Sequence, residues 1–250
     1  MKIAIVTGAS SGMGREFVSQ MESFYKELDE IWVIARSEDR LRELESRMMT
    51  KLRMFTGDLL QPELYERIKK ALTTMKPDIR MLVNAAGFGK SGMVEEIPLT
   101  DQLEMIDLNC RSLTQMTIEC LPYMNKGSRI VNLASAAAFC PQPSFTVYAA
   151  TKAYVLSFTR GLNAELEEKK IYAIAVCPGP VDTEFFDVMG EETSGIKKAA
   201  MVRPEQVVRQ ALIDAREKKE MSVYGKTMKM CEASTKLLPH RLILKGLKHI

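Results

Sequence analysis

Histidine is nearly missing from this sequence: there are two, His240 and His249. Both stand close to the C-terminal end, so the main body of the chain has no imidazole to serve as a general base or a metal ligand. Cysteine is sparse as well. Cys110, Cys120, Cys140, Cys177 and Cys231 are odd in number, widely spaced and without a CxxC pair. That argues against a disulfide framework and against a zinc site, and no metal is expected. Reduced thiols in a cytoplasmic protein are the expectation. Long apolar runs are lacking: nothing approaches the ~18 residues a membrane-spanning helix needs. The apolar stretch at 3–6 is too short for a secretory leader. Excess charge is lacking too, since a net +3 gives no reason to expect a nucleic-acid partner.

What is present is ordinary for a globular protein with a full core, with 46% apolar and 27% charged residues over 250 positions. The charge is not evenly spread. From Gly225 onward Lys226, Lys229, Lys236, Arg241, Lys245 and Lys248 face one acid, Glu232, so this tail is +5 and the rest of the chain is 3 − 5 = −2.

Short β-branched runs alternate with longer amphipathic stretches. Strands are expected at 2–6, 31–35, 52–56, 81–84, 129–133, 171–177 and 222–224. Helices are expected at 12–28, 38–49, 62–75, 147–168 and 204–217, with two more over about 99–125 interrupted near Asn109. Continuous apolar strands such as Ile174-Ala175-Val176 read as buried on both faces. Strand–helix alternation implies right-handed βαβ units. The expected fold is one doubly wound α/β domain at 1–224, its sheet mainly parallel and covered by helices on both faces, with a basic extension at 225–250.

The first strand runs into Thr7-Gly8-Ala9-Ser10-Ser11-Gly12-Met13-Gly14 and then a helix. Strand, Gly-rich turn and helix are what a dinucleotide site needs. Glycine lets the backbone approach a pyrophosphate, and the helix start supplies free N–H groups. Residues 8–12 formally match a GxSxG nucleophile elbow, but the body has no partner histidine. Met13-Gly14-Arg15 lacks the Gly-Lys-Ser/Thr of a Walker A loop. Tyr148 and Lys152 stand four apart on an expected helix and share a face. Tyr65 and Lys69 have the same spacing and are expected to be a surface pair. Context separates the two: Ser135 lies just past the strand at 129–133, and in a parallel sheet ligands bind at such strand ends.

Taken together, 7–14, Asp58, Asn84-Ala85-Ala86-Gly87, Asn109, Ser135, Tyr148-x3-Lys152 and 178–183 resemble the short-chain dehydrogenase/reductase family, in its order and spacing, over about residues 1–225. Ala85 departs from the family, where a second Asn is common. The resemblance implies a Rossmann fold and an enzyme that moves a hydride between a nicotinamide and a carbonyl or secondary alcohol. It makes Tyr148 the acid/base, and Lys152 a cation that lowers the tyrosine pKa from ~10 and holds the nicotinamide ribose. Ser135 would bind the substrate oxygen and Asn109 a proton-relay water. The cofactor would rest on Gly8, Ser10, Ser11, Gly12, Met13 and Gly14, with Asp58 and Leu59 at the adenine and Asn84, Ala85, Ala86 and Gly87 lining the cleft. Pro178, Gly179, Val181 and Thr183 would stand at the carboxamide. Arg36 and Ser37 replace the acid that usually ends the second strand of an NAD site, so the expected cofactor is NADP(H), with Arg36 pairing with the 2′-phosphate. The family also implies a homodimer or homotetramer. A catalytically silent NADP-binding regulatory protein is the alternative, opposed by the intact Ser135–Tyr148–Lys152 set.

Substrate recognition is expected from 88–94, 136–145 and 184–202. Phe88, Met93, Phe139, Phe145, Phe185, Phe186, Met189 and Met201 suggest a roomy apolar pocket, fit for a hydrophobic carbonyl such as a ketosteroid or 3-oxoacyl group. In the tail, Ile243, Leu247 and Ile250 recur at i, i+4, i+7. Arg241, Lys245 and Lys248 do so two residues earlier, about 200° away on a helix. Such a helix could cover the pocket or a subunit interface, dock on an anionic membrane, or meet an acidic acyl carrier protein.

Overall fold

In the structure, a computed structural model, residues 1–189 and 201–247 are described. Among these residues seven strands form one sheet in the order β3-β2-β1-β4-β5-β6-β7, every pairing parallel. The strands are β1 (Lys2–Thr7), β2 (Glu30–Ala35), β3 (Lys51–Thr56), β4 (Asp78–Asn84), β5 (Met124–Leu133), β6 (Tyr172–Val176) and β7 (Met221–Ser222). The helices are α1 (Gly12–Phe24), α2 (Glu38–Glu45), α3 (Pro62–Met75), α4 (Leu99–Ile106), α5 (Leu113–Cys120), α6 (Thr146–Glu165), α7 (Phe185–Met189), α8 (Pro204–Arg216), α9 (Lys226–Leu237) and α10 (His240–Leu247).

Each strand divides its apolar side chains between two cores, as a two-residue period requires. Ala4 and Val6 of β1 face Phe17, Val18 and Met21 of α1 and Val208 and Leu212 of α8. Ile3 and Ile5 face the other way, toward Ile68 and Leu72 of α3 and Met116 of α5. The expected doubly wound α/β architecture is borne out. The chain reverses direction across the sheet between β1 and β4, and ligands bind at such a switch point.

Several boundaries differ from expectation. Helix α1 stops at Phe24, not residue 28, with the Tyr25 N–H bonded to Met21 O. Helix α2 stops at Glu45, short of residue 49. Strand β5 begins at Met124, five residues early, because Met124 pairs with Ile79 across a register shift. Strand β7 lies at Met221–Ser222 instead of 222–224. The interruption near Asn109 is a π-helical turn, Asp107–Ser112, joining α4 to α5. Helix α9 was not foreseen; it starts after Gly225, whose φ of 86° lies in the left-handed region that favours glycine.

Candidate functional site

The turn after β1 is shaped by glycine. Gly8 has φ 67°, and a Cβ there would come within 2.8 Å of the Ala86 amide nitrogen. A Cβ on Gly14 would overlap the Gly8 carbonyl oxygen. The loop is therefore wound tightly against the end of β4, where the Thr7 hydroxyl accepts from the Ala85 and Ala86 N–H groups, both at 3.1 Å. Ser10, Ser11 and Met13 are half-buried beside it. Gly12 faces Thr183, whose Cβ would lie 3.4 Å from an added Cβ, so the loops after β1 and β6 meet here. The first N–H groups of α1 have no intrahelical acceptor. This glycine cradle, with a helix start behind it, fits the pyrophosphate of a dinucleotide.

At the other side of β1, Ala35 closes β2 and Arg36 is exposed, with no ion pair among the described residues. Its neighbours are engaged: Glu38 with Arg42, and Arg40 with Glu184 at 2.6 Å. Ser37 caps α2 by accepting from the Arg40 N–H. Asp58 accepts from the Leu60 N–H at 2.9 Å, which orders the loop after β3. Leu59 is buried, and its carbonyl accepts from the Tyr65 and Ser112 hydroxyls. Tyr65 is thus a buried structural residue and not half of a surface pair; only Lys69 is exposed, 3.5 Å from Glu119. Asn84 is also turned inward, donating to Thr117 at 3.1 Å and Asn132 at 2.8 Å.

Ser135, Tyr148 and Lys152 converge beyond β5. Tyr148 and Lys152, on one face of α6, are both buried. The Lys152 ammonium donates to Leu133 O at 2.8 Å and lies 5.5 Å from the Tyr148 ring centre. Ser135 accepts from the Ala137 N–H, and its hydroxyl stands close enough to favour the ionised Tyr148. Burial pushes the phenol up to about 12, and the Ser135 hydrogen bond only partly offsets this. Burial also draws Lys152 down to about 8. The expectation that Lys152 lowers the tyrosine pKa is not met in this geometry: the ammonium is spent on a carbonyl and desolvation dominates. Asn109, in the π-turn, accepts from Phe88 N–H at 3.1 Å and donates to Phe88 O and to Thr151. A Cβ on Gly87 would sit 2.7 Å from Asn109 Oδ1 and 3.6 Å from Lys152 Nζ. Asn109, Gly87 and Lys152 therefore form one group.

Phe145 stacks on Tyr148 at 4.3 Å between ring centres, Phe185 lies at 5.5 Å, and Phe88 packs in the same cluster. Phe186 meets Phe185 edge-on and Met189 is buried. Phe139 instead packs on Leu113 and Val155. Met93 opens on a separate cavity of about 560 Å³, lined by Ala149, Ala153, Cys140 and, from α10, His240 and Leu244. Of the expected recognition segment at 184–202, residues 190–200 lie outside the described ones. Sequence reasoning missed three contributors. Thr151 and the Leu133 carbonyl orient Asn109 and Lys152, and Met228 of α9 presses on Gly179, where an added Cβ would be 2.6 Å from its sulfur. No spacing rule marks a backbone carbonyl or a distant helix; the cue for Thr151 was its place beside Lys152. Pro178 accepts from the Ala136 N–H at 2.8 Å, and Val181 bridges Val202.

The family model described as short chain dehydrogenase matches residues 2–194. Very-long-chain 3-oxoacyl-CoA reductase-B of Danio rerio is 33% identical over 193 residues, covering 73% of this chain and 60% of that protein. Among solved structures, the closed form of serine dehydrogenase complexed with NADP+ superposes with TM-score 0.77 at 26% identity, covering 89% of this chain and 94% of the other. A short-chain dehydrogenase/reductase from Burkholderia phymatum in complex with NAD has the same fold, with TM-score 0.80 at 21% identity over 94% and 92% of the two chains.

Proposed function

The chain belongs to the short-chain dehydrogenase family, and on that premise we propose that it is an NADP(H)-dependent oxidoreductase interconverting a hydrophobic carbonyl and its secondary alcohol. The carrying observation is the convergence of half-buried Ser135 with the buried Tyr148 and Lys152 beside the glycine cradle. The nicotinamide supplies or accepts the hydride when bound. A phenol that holds its proton through neutral pH is a donor, and Tyr148 gives that proton to the carbonyl oxygen as reduction proceeds. Ser135, already within hydrogen-bonding reach of Tyr148, orients the same oxygen. Lys152 holds the ribose hydroxyls and passes a proton toward Tyr148, with Asn109 positioning the relay.

NADP(H) preference rests on Arg36. It directly follows β2, where an NAD site places an acid, and it is exposed and without an ion pair among the described residues, free for a 2′-phosphate. The apolar wall of Phe88, Phe145 and Phe185 supports a hydrophobic substrate, as does likeness to a reductase of 3-oxoacyl chains. Leu103, Ile106, Ile118 and Tyr154 are exposed on α4, α5 and α6. Exposed apolar side chains of this kind support a homodimer or homotetramer, and the free cysteines fit a cytoplasmic location. Among the described residues no helix is long and apolar enough to cross a membrane. The test is oxidation of NADPH and of NADH against ketosteroids, 3-oxoacyl thioesters, aldehydes and sugars. Turnover of an apolar carbonyl with NADPH is expected. Binding of NADPH without turnover of any of them would replace this reading with the silent regulatory protein.

A further inference from the structure

Helices α9 and α10 have two sides of opposite character. Met228, Cys231 and Thr235, at i, i+3, i+7, are half-buried and turn α9 onto the protein, with Met228 against Gly179. Two residues on, Met230, Ala233 and Leu237 repeat the same spacing about 200° round the helix, all exposed: Met230 is 72% and Leu237 82% accessible. Leu238 and Leu242 continue the exposed apolar stripe into α10. Cations border it. Lys226 lies about 40° from Met230, and Arg241 and Lys245 share a face beside Leu242. Lys226, Lys229, Arg241 and Lys245 form no ion pairs among the described residues; Lys236 is paired with Glu232. Lys248 and Ile250, which the sequence pattern adds to the two faces, lie outside the described residues.

We propose that this outer face of α9 and α10 docks on an anionic lipid surface. Exposed Leu and Met side chains ringed by unpaired Lys and Arg are the composition of an interfacial helix, which sinks its apolar stripe below the headgroups while its cations meet lipid phosphate. A second copy across a two-fold axis would bring like charges together. An acidic protein would satisfy the cations but leave Leu237 and Met230 without hydrocarbon. The placement also has a consequence. His240 and Leu244 of α10 line the 560 Å³ apolar cavity together with Met93 and the loop between Ser135 and α6. His240 and Leu244 each lie two residues from Leu242, about 200° round the helix, so a docked tail would keep that cavity on its inner side and close over it.

The experiment is co-sedimentation of the full chain with phosphatidylcholine vesicles, with and without phosphatidylglycerol, at low and high ionic strength. It needs no turnover, so its failure is separate from failure of the proposed activity. Binding is expected only with phosphatidylglycerol and is expected to fall as salt rises. Leu237→Asp with Leu242→Asp, and separately Arg241→Glu with Lys245→Glu, should each weaken binding by about tenfold or more while thermal midpoint and NADPH binding stay unchanged. Three results would overturn the proposal. One is a chain that stays in the supernatant at low salt; another is binding that survives both double variants. The third is a change of oligomeric state by the Leu variants without vesicles, which would make the face a contact between copies. In the first case, capture by an acidic acyl carrier protein would replace lipid with that partner.

Discussion

Lys152 and Arg36 stand on either side of the β1–β4 switch point and carry their charges in different ways. Lys152 is buried, tied to Leu133 O, and drawn down to about 8 by desolvation. Arg36 is solvated and, among the described residues, without an ion pair. A desolvated cation is costly and has to be held by its surroundings, so Lys152 comes with a constructed setting of Thr151, Asn109 and the Leu133 carbonyl. A solvated cation has little energetic cost and little structure around it; it gains a partner only when a ligand brings one. On the proposed reading, chemistry is placed where side chains are buried and held by hydrogen bonds, and selectivity where they are open.

The buried side of this comparison is broken most directly at Tyr148. Tyr148→Phe removes the hydroxyl but keeps the ring that stacks on Phe145. Turnover should fall by about 100-fold or more, the lower range for loss of a general acid, with NADPH binding and thermal midpoint nearly unchanged. Steady-state kinetics and cofactor fluorescence check it. Retention of more than about a tenth of kcat, a loss smaller than general acid catalysis supplies, would move the acid/base elsewhere.

The open side is tested at Arg36. Charge-assisted hydrogen bonds contribute about 1.5–3 kcal/mol, so Arg36→Asp should shift the NADPH-to-NADH ratio of kcat/KM by about ten- to hundredfold. Its kcat with saturating cofactor should barely move, because Arg36 is remote from Tyr148. Equal use of both cofactors by the unaltered chain would sink the NADP(H) assignment.

How far each side could be read beforehand follows from the same contrast. Features set by backbone and short-range pattern were legible: the strand–glycine–helix turn, the Tyr148–Lys152 spacing and the apolar strands. Features set by what burial does to a group were not. Spacing put Lys152 near Tyr148 and suggested a lowered phenol pKa; the folded chain instead buries both, and the phenol rises to about 12. Tyr65 and Lys69 share that spacing, yet Tyr65 is buried on the Leu59 carbonyl. The π-turn that carries Asn109 has a hydrogen-bonding pattern that no residue type announces. Helix α9 escaped notice because its inner face, Met228, Cys231 and Thr235, is only weakly apolar and takes its meaning from Gly179.

Desolvation of Lys152 also predicts a pH profile. The ammonium is present below about 8 and lost above it, while Tyr148 keeps its proton to about 12. Carbonyl reduction should therefore be flat through neutral pH, with kcat/KM falling on an alkaline limb near 8, the range that reports the free enzyme. Unfolding cannot imitate this limb through Lys152. Its folded pKa lies below the unfolded value of 10.5, so between about 8 and 10.5 the unfolded chain binds more protons and the contribution of this group to stability rises with pH. A limb appearing only above 10 would belong to Tyr148 and remove Lys152 from the proton path.

The smallest effect is expected where the tail meets the site. Truncation after Tyr224 removes α9 and α10, and with them the contact of Met228 on Gly179 and on the buried cluster that includes Val155, Cys177 and Val223. Full burial of a Met contributes about 1.5–3 kcal/mol; Met228 is half-buried, so the loss is about 1 kcal/mol, or about 2–4 °C in a domain of this size. Of the residues expected at the cofactor only Gly179 meets the tail, through Met228, so NADPH affinity should fall only slightly. The cavity loses His240 and Leu244, so KM for an apolar carbonyl should rise by more than NADPH affinity falls, while kcat changes little. Met228→Ala in the full chain separates the two consequences: it should reproduce most of the thermal loss and leave the cavity wall in place. If truncation lowers NADPH affinity as much as it raises substrate KM, the tail supports the whole cleft, and the division between a buried chemical end and an open selective end does not hold.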